Sequence, residues 1–527
     1  MTDSNHRTSP PPSVPVDADR LVDLASTLRV AFDRADFTAD GILEALGDSV
    51  HAALGRGEPA PVRRRCGELG PLGTLVLLFL LSDDVAIDAA TTALAPTTLD
   101  GAVAAGLLET GSGTVRSLLD IRPLDLGTGT RWVVSDIDGS MRDVRIGSDH
   151  VLGVGHASLS LVRGTPTRVD GSPPTVLDLG TGCGIQALHA APYARSITAT
   201  DVSDRAIALT RMTAALNGLD FETIPGSWFA PVAGRTFDRI VANPPFVVGS
   251  GRVSHSYRDS GLDLDGASSL VVGAAPDHLA PGGTASLLAS WVHVDGEDWR
   301  SRVASWLPDH GVDAWIVQRD IADPALYVGT WLRDGGLDLR DPAVDETATA
   351  WLDHLDAAGV TGVGFGFVYL RRTDRPTSVL AEDLMHGYED PLGDEALDVL
   401  DRVDWLRTHD LLDECVAVAP TTALEEVSTP RSGRWVDHRR APGPPRRRAR
   451  VVPRDRRGRG GTPGRDARGR TDGRRPHRAS RGRTRCGRRG ADGLGRRVGR
   501  GARRARVGDP HLSRAVVSLS NFSGLRW

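Results

Sequence analysis

The chain has 527 residues, too many for one ordinary hydrophobic core, and a composition of 40% hydrophobic and 25% charged residues fits a folded protein of two to four domains. Its formal net charge of −5 hides an asymmetry: residues 1–430 carry 32 basic and 62 acidic side chains, whereas residues 431–527 carry 31 and 6, net charges near −30 and +25. The acidic body argues against broad affinity for nucleic-acid phosphates, and the cysteines Cys66, Cys183, Cys415 and Cys486 lie far apart and form no CxxC pair, which indicates neither a zinc knuckle nor a disulfide framework and makes a reduced, cytoplasmic compartment the expectation.

No Lys occurs, so all 63 cations are Arg, as a very GC-rich coding sequence would give. Residues 1–16 are polar and Pro-rich and predict a disordered lead without an export signal. The longest apolar run, Leu75 to Leu81, is far too short to span a membrane.

Residues 17–118 predict a small helical domain. Leu21, Leu24, Leu28 and Ala31 recur at helical spacing, and ADGILEALG (Ala39 to Gly47) repeats the signal after a Thr/Asp start. LGTLVLLFLL, DVAIDAATTAL and LDGAVAAGLLE add short helices. The strand-like WVVSDIDG and RDVRIGS that follow make the region helical or winged-helix-like, either a module that presents substrate or one that only packs.

From about residue 151, within a domain set at 119–374, strands and helices alternate, the signature of a parallel sheet covered on both faces. PTVLDLG, SITATDVS, a short stretch near FETIPG, FDRIVANPPF, TASLLASWVHV, DAWIVQRD and GVGFGFVYLRR (Gly362 to Arg372) predict seven strands of a doubly wound α/β domain. Helices are expected at IQALHAA, DRAIALTRMTAALNGL, ASSLVVGAAPDHLA and EDWRSRVASWLPDHG, with an insertion containing the helical AVDETATAWLDHLDAAG. GVGFGF reads as a close sheet contact. Residues 375–430 predict an acidic helical extension.

After Arg431 the chain turns to Arg, Gly and Pro without apolar periodicity. Such a tail can bind RNA through phosphate charge and stacking. A GC-rich gene read out of frame gives the same mixture, and the abrupt loss of acidic residues and apolar faces favours that frameshift reading.

Two motifs carry chemistry. Asp178 ends the first strand, and Gly180, Gly182 and Gly184 form a G-x-G-x-G turn that lets a ligand approach the backbone at the carboxyl end of the sheet. The spacing departs from the G-x-G-x-x-G dinucleotide fingerprint, against NAD. Asp201 ends the second strand, where its two carboxylate oxygens match two vicinal ribose hydroxyls. After the fourth strand, Asn243, Pro244, Pro245 and Phe246 place an amide oxygen and a carbonyl as acceptors beside a flat apolar ring. Such acceptors can hold a substrate NH2 group and offset positive charge growing on its nitrogen. His255, His293 and His310 lack metal spacing, and no metal is expected.

Residues from about Asp149 to Arg372 resemble the class I, Rossmann-like S-adenosylmethionine-dependent methyltransferases that modify planar nitrogens: the methyltransferase small domain, release-factor glutamine, rRNA guanine and adenine-N6 methyltransferases. DHVLGVGHASLSLV resembles their lead-in segment, and DLGTGCGIQAL, TATDVSDRAIALTRMTAALNGL and FDRIVANPPF follow their motif order. The resemblance implies S-adenosylmethionine as cofactor, touched by Asp178, Gly180, Gly182, Gly184 and Asp201, with Asn243 to Phe246 holding the acceptor amine. GSWF stands where the family often has an acidic adenine ligand, so adenine contact passes to Ser227, Trp228 or a backbone group. The Phe ending of NPPF leans toward a nucleic-acid base in rRNA, tRNA or DNA, whereas YRDSGLDLDGASSL (Tyr257 to Leu270) resembles a stretch of the enzymes that methylate a glutamine amide in a translation protein. The acceptor stays open between these. A catalytically silent binding protein with the cofactor fold and an NAD-linked oxidoreductase are the alternatives.

Overall fold

The computed structural model describes residues 13–137, 147–250, 261–334, 337–384, 392–410 and 413. The segments expected as the start of the disordered lead, the end of the acidic extension and the Arg/Gly/Pro-rich tail lie outside the described residues, as does His255.

In the N-terminal region, α1 (Ala18–Ala35) starts where the Asp17 side chain accepts from the Arg20 amide, and it buries Leu21, Ala25, Leu28, Ala31 and Phe32 at helical spacing. Four short helices follow, α2 (Ala39–Leu46), α3 (Asp48–Gly55), α4 (Pro59–Cys66) and α5 (Gly70–Leu75). The apolar run Leu75 to Leu81 ends α5 in a π-helical turn whose Phe79 meets Phe32 edge-on at 5.7 Å. Then come β1 (Val85–Ala86), α6 (Ile87–Leu94), α7 (Leu99–Ala104), β2 (Leu108–Thr110) and β3 (Thr114–Ser117), with β3 pairing antiparallel between the other two strands. β1 precedes α6 and α7, so this small sheet encloses a helix pair between its first strand and the β2–β3 hairpin, after the helical region that the sequence predicts. The hairpin of β4 (Leu119–Asp125) and β5 (Thr130–Asp136) leads into the region of the large sheet.

That region begins with α8 (His156–Gly164), β6 (Thr175–Leu179), α9 (Ile185–Ala190), β7 (Ser196–Asp201), α10 (Asp204–Leu216), β8 (Glu222–Pro225) and β9 (Phe237–Ala242). It continues through the small pair β10 (Gly249–Ser250) and β11 (Asp263–Leu264), then α11 (Gly266–Ala274), β12 (Leu279–Val294), α12 (Trp299–Ala304) and β13 (His310–Ala322). After α13 (Pro324–Asp334) and α14 (Pro342–Ala357) come β14 (Val360–Pro376), β15 (Ser378–Asp383) and α15 (Gly393–Leu406). The large sheet has the order β15-β13-β14-β12-β9-β6-β7-β8, and only β14 runs antiparallel to its neighbours. The chain leaves β6 toward β7 and β8, then returns to add β9 and β12 on the other side. The carboxyl ends of β6 and β9 therefore flank the switch point, where doubly wound sheets bind ligands.

The sheet has eight strands rather than seven. The eighth, β15, comes from the segment predicted to be an acidic helical extension, of which α15 is the helical part. Its SVLAED text masks a strand because the acids are bonded: Glu382 accepts from the Trp315 indole at 2.9 Å, and Asp383 accepts from Gln318 and Arg300. GVGFGF is a close sheet contact, since a Cβ on Gly364 would collide with the side chains of Gln318 and Trp291. The predicted helix EDWRSRVASWLPDHG is shortened to α12, because its last residues already begin β13.

The β4–β5 hairpin docks on α10. Asn217, just past the helix, accepts from the Trp132 amide at 3.0 Å and donates to its carbonyl at 2.7 Å. Thr213 accepts from Val134 at 3.0 Å and donates to the Cys183 carbonyl at 3.0 Å, joining the hairpin to the Gly-rich turn. Asp136 and Arg205 form a buried ion pair beside them, each side chain 6% exposed.

Candidate active site

The G-x-G-x-G turn is fixed by its backbone before any ligand is considered. Gly180 and Thr181 both donate to the Thr200 carbonyl of β7 at 2.9 Å, and Gly184 donates to the Thr181 carbonyl at 2.8 Å. Gly180, Gly182 and Gly184 have φ of 71°, 56° and 82°, the left-handed region that glycine alone enters at little cost. The resulting loop lies under a cavity of about 400 Å³ at the carboxyl ends of β6, β7 and β9.

That cavity gathers most of the predicted site: Gly180, Gly182, Asp201, Ser227, Trp228 and Asn243 to Phe246 all line it. Asp178 and Gly184 do not. The Asp178 carboxyl is 1% exposed behind the loop, where a single oxygen, Oδ2, accepts from the Thr181 hydroxyl at 2.7 Å and the Ala187 amide at 2.9 Å. Gly184 opens α9 against Thr210, whose side chain lies 3.2 Å from where a Cβ would stand. Both residues shape the turn from outside the cavity, a distinction the shared motif conceals.

Burial raises the Asp178 carboxyl from its ordinary value of 3.8 to about 6, against the lowering effect of its two hydrogen bonds. Its contribution to stability is then fully present below the unfolded value and is lost as pH rises through about 6. Asp178→Asn can keep both bonds, since one amide oxygen replaces Oδ2. In parallel pH-dependent denaturation, the variant should gain on the wild-type chain by up to about 3 kcal/mol between pH 4 and pH 7. Superimposable pH profiles would disprove this coupling.

Asp201 faces the cavity with both oxygens already oriented. Oδ2 accepts from the Gly182 amide and Oδ1 from the Ser203 amide, each at 2.9 Å. The helix cap is a separate residue, Ser203, whose hydroxyl accepts from the Ala206 amide. Each Asp201 oxygen therefore keeps acceptor capacity for a ligand hydroxyl. Burial pushes this carboxyl above the usual carboxylate range.

Past β9, the NPPF turn is held from three sides. Asn243 donates its Nδ2 to the Ser158 hydroxyl of α8 at 3.3 Å, and its Oδ1 accepts no hydrogen bond among the described residues. No described amide donates to the Pro244 carbonyl. The Phe246 carbonyl accepts from the Ser290 hydroxyl of β12, and its ring stacks on Phe365 at 6.2 Å, which Arg319 covers in turn at 5.4 Å. Two acceptors and one rigid ring are thereby presented together.

Several lining residues carried no sequence signal. Gln186 is 4% exposed; its Nε2 donates to the Ser158 carbonyl at 2.9 Å, and its Oε1 is buried with no partner. The buried Thr200 hydroxyl likewise lacks a partner. Trp331 reaches the cavity from the insertion helix α13, some 85 residues after NPPF. Cys183 also lines it, but burial pushes its thiol up to about 12, which excludes a thiolate nucleophile. Among the described residues, no group of three or more His, Cys, Asp or Glu side chains could hold a metal ion, and no helix is long and apolar enough to cross a membrane.

Residues 154–290 match the family described as Methyltransferase small domain, and residues 34–118 match DUF7059, a domain of unknown function. A ribosomal RNA small subunit methyltransferase C of Alcanivorax borkumensis is 32% identical over 120 residues, which cover 23% of this chain and 33% of the relative. A release factor glutamine methyltransferase of Deinococcus radiodurans is 47% identical over 76 residues, 14% of this chain and 27% of the relative. Another, of Bordetella pertussis, is 34% identical over 172 residues, 30% and 61% of the two chains. The chain thus spans about a quarter to three fifths of the length of these curated relatives. Among solved structures, a T. thermophilus 16S rRNA methyltransferase in complex with AdoMet and guanosine aligns at 18% identity and a TM-score of 0.28, covering 39% of this chain and 54% of that one.

Proposed function

We propose that this chain is an S-adenosylmethionine-dependent N-methyltransferase that methylates a planar nitrogen in the cytoplasm, the acceptor being a nucleic-acid base or the amide of a protein glutamine. The observation that carries the reading is a single cavity walled by the Gly180–Gly182 turn and Asp201 at one end and by Asn243 to Phe246 at the other.

The residues present fit the cofactor. Asp201 offers two oriented oxygens to the ribose hydroxyls, and Ser227 and Trp228 line the wall next to β8 for the adenine. The unpartnered Gln186 Oε1 and Thr200 hydroxyl are buried polar atoms that a polar ligand in this cavity would satisfy. Bound S-adenosylmethionine supplies an electrophilic methyl group on a sulfonium.

The chain's own work is positional and electrostatic. Asn243 Oδ1 and the Pro244 carbonyl accept the two N–H groups of the acceptor amine, leaving the nitrogen lone pair directed out of that plane. As the nitrogen takes the methyl carbon, the methyl–sulfur bond would break with its electron pair left on sulfur as a neutral thioether; the nitrogen becomes positive, and the same two oxygens strengthen their hold on it. The nitrogen then releases one proton to solvent water. Phe246, backed by Phe365, fixes the plane of the acceptor.

The family match over residues 154–290 and the names of the curated relatives, which act on ribosomal RNA or a release factor, support this reading. Titration calorimetry with S-adenosylmethionine and with NAD tests it. Binding of the former and transfer of a labelled methyl group to RNA or protein of a cell extract are expected. Binding of NAD alone would overturn it in favour of an oxidoreductase, and cofactor binding without transfer would leave a silent binding protein.

A further inference from the structure

We infer that Gln186 is a further cofactor-binding residue, its amide oxygen receiving the α-ammonium group on the amino-acid arm of S-adenosylmethionine. The inference rests on the methyltransferase reading above and adds to it a contact at the arm, apart from the ribose and the reacting methyl group.

Gln186 stands two residues past Gly184 on α9 and lines the cavity, yet it is only 4% exposed. The orientation of its amide is fixed. Nε2 donates to the Ser158 carbonyl of α8 at 2.9 Å, and a carbonyl only accepts, so the amide cannot turn its oxygen to that side. Oε1 is left buried without a partner among the described residues. The supporting helix is itself anchored: the Tyr369 hydroxyl donates to the Gly164 carbonyl at 2.9 Å, and Arg319 donates to the Ser160 hydroxyl at 2.5 Å. The Ser158 hydroxyl also receives Asn243, so Gln186 and the residue that holds the acceptor amine hang from one support. A desolvated amide oxygen with no donor is costly to the fold, and one held this firmly is preorganised for a donor that a ligand brings.

The other donors of the reaction are already placed. An acceptor amine has two N–H groups, and these go to Asn243 Oδ1 and the Pro244 carbonyl, so a third oxygen finds no N–H there. The ribose hydroxyls go to Asp201, and the adenine lies by Ser227 and Trp228 on the wall next to β8. The α-ammonium remains, with three N–H donors and a full positive charge. Asp201 is the one acid among the described residues that line the cavity, and the ribose occupies it. The ammonium must therefore be met by neutral oxygens once it leaves water. Gln186 Oε1 is such an oxygen and is desolvated before the ligand arrives.

Titration calorimetry on the full chain tests this with three probes: S-adenosylhomocysteine, its deamino analogue, which keeps the carboxylate but lacks the ammonium, and 5′-methylthioadenosine, which lacks the whole arm. Gln186→Leu, close in size, should weaken S-adenosylhomocysteine about ten- to a hundredfold, the value of one hydrogen bond to a charged group, and leave the other two probes within about twofold of wild type. Retained binding of methylthioadenosine shows that the variant is folded. Gln186→Glu, which keeps an oxygen at the same place, should recover most of the loss. Equal weakening of all three probes would mean that Gln186 only shapes the wall, and unchanged S-adenosylhomocysteine affinity would mean that its oxygen meets no ammonium. Either result overturns the inference while leaving the cofactor reading intact. A loss shared by the deamino analogue but not by methylthioadenosine would move the contact to the carboxylate and overturn it as well. Failure of the wild-type chain to bind any of the probes would instead defeat the methyltransferase reading itself.

Discussion

Replacing Asn243 with Ala should lower kcat for methyl transfer by about 10²–10³-fold while leaving S-adenosylmethionine affinity within about twofold of wild type. The size follows from removing one preorganised polar group that faces charge developing in the transition state. The selectivity follows from the structure, since the Asn243 side chain is bonded to Ser158 and no cofactor-loop atom depends on it. Single-turnover transfer of a labelled methyl group, paired with calorimetry on the same protein, separates the two quantities. A variant that turns over at the wild-type rate would remove Asn243 from the reaction, and one that loses cofactor binding as well would mean that the residue supports the cavity as a whole.

Much of this arrangement is legible in the sequence because it depends on local rules. Short apolar strands ending in glycine or proline fix β6 and β9, and the order of their motifs fixes which sheet ends meet. What stays hidden depends on partners remote in sequence. Asp178 belongs to the same motif as Gly180 and Gly182, yet its carboxyl turns inward to Thr181 and Ala187, a direction set by the closure of the turn. β15 hides because its acidic residues are satisfied by Trp315, Gln318 and Arg300, contacts that exist only once β13 lies beside it. Ser158 and Gln186 look like ordinary helix residues until α8 and α9 bring them together under Asn243. Trp331 is the extreme instance, since no spacing rule links an insertion helix to a loop so far upstream.

Asp201→Ala should weaken S-adenosylmethionine about a hundredfold. Two hydrogen bonds to a charged acceptor contribute roughly 1.5–3 kcal/mol each, and every 1.4 kcal/mol is tenfold in Kd, so the estimate is at the lower end of that range. Part of the loss comes through the loop, because the same carboxylate fixes the Gly182 amide, and part through the lost ribose contacts. Asp201→Asn should be nearly as damaging despite its equal size. Both carboxylate oxygens receive backbone N–H groups, so one end of the amide would turn its own NH2 toward the amide of Gly182 or Ser203. Measuring S-adenosylhomocysteine beside S-adenosylmethionine identifies the cause. The two share a ribose and differ in the sulfonium charge, so a ribose ligand weakens both equally. A loss confined to S-adenosylmethionine would show instead that Asp201 acts at a distance on the positive sulfur, and the hydroxyl contacts assigned to it would have to be given up.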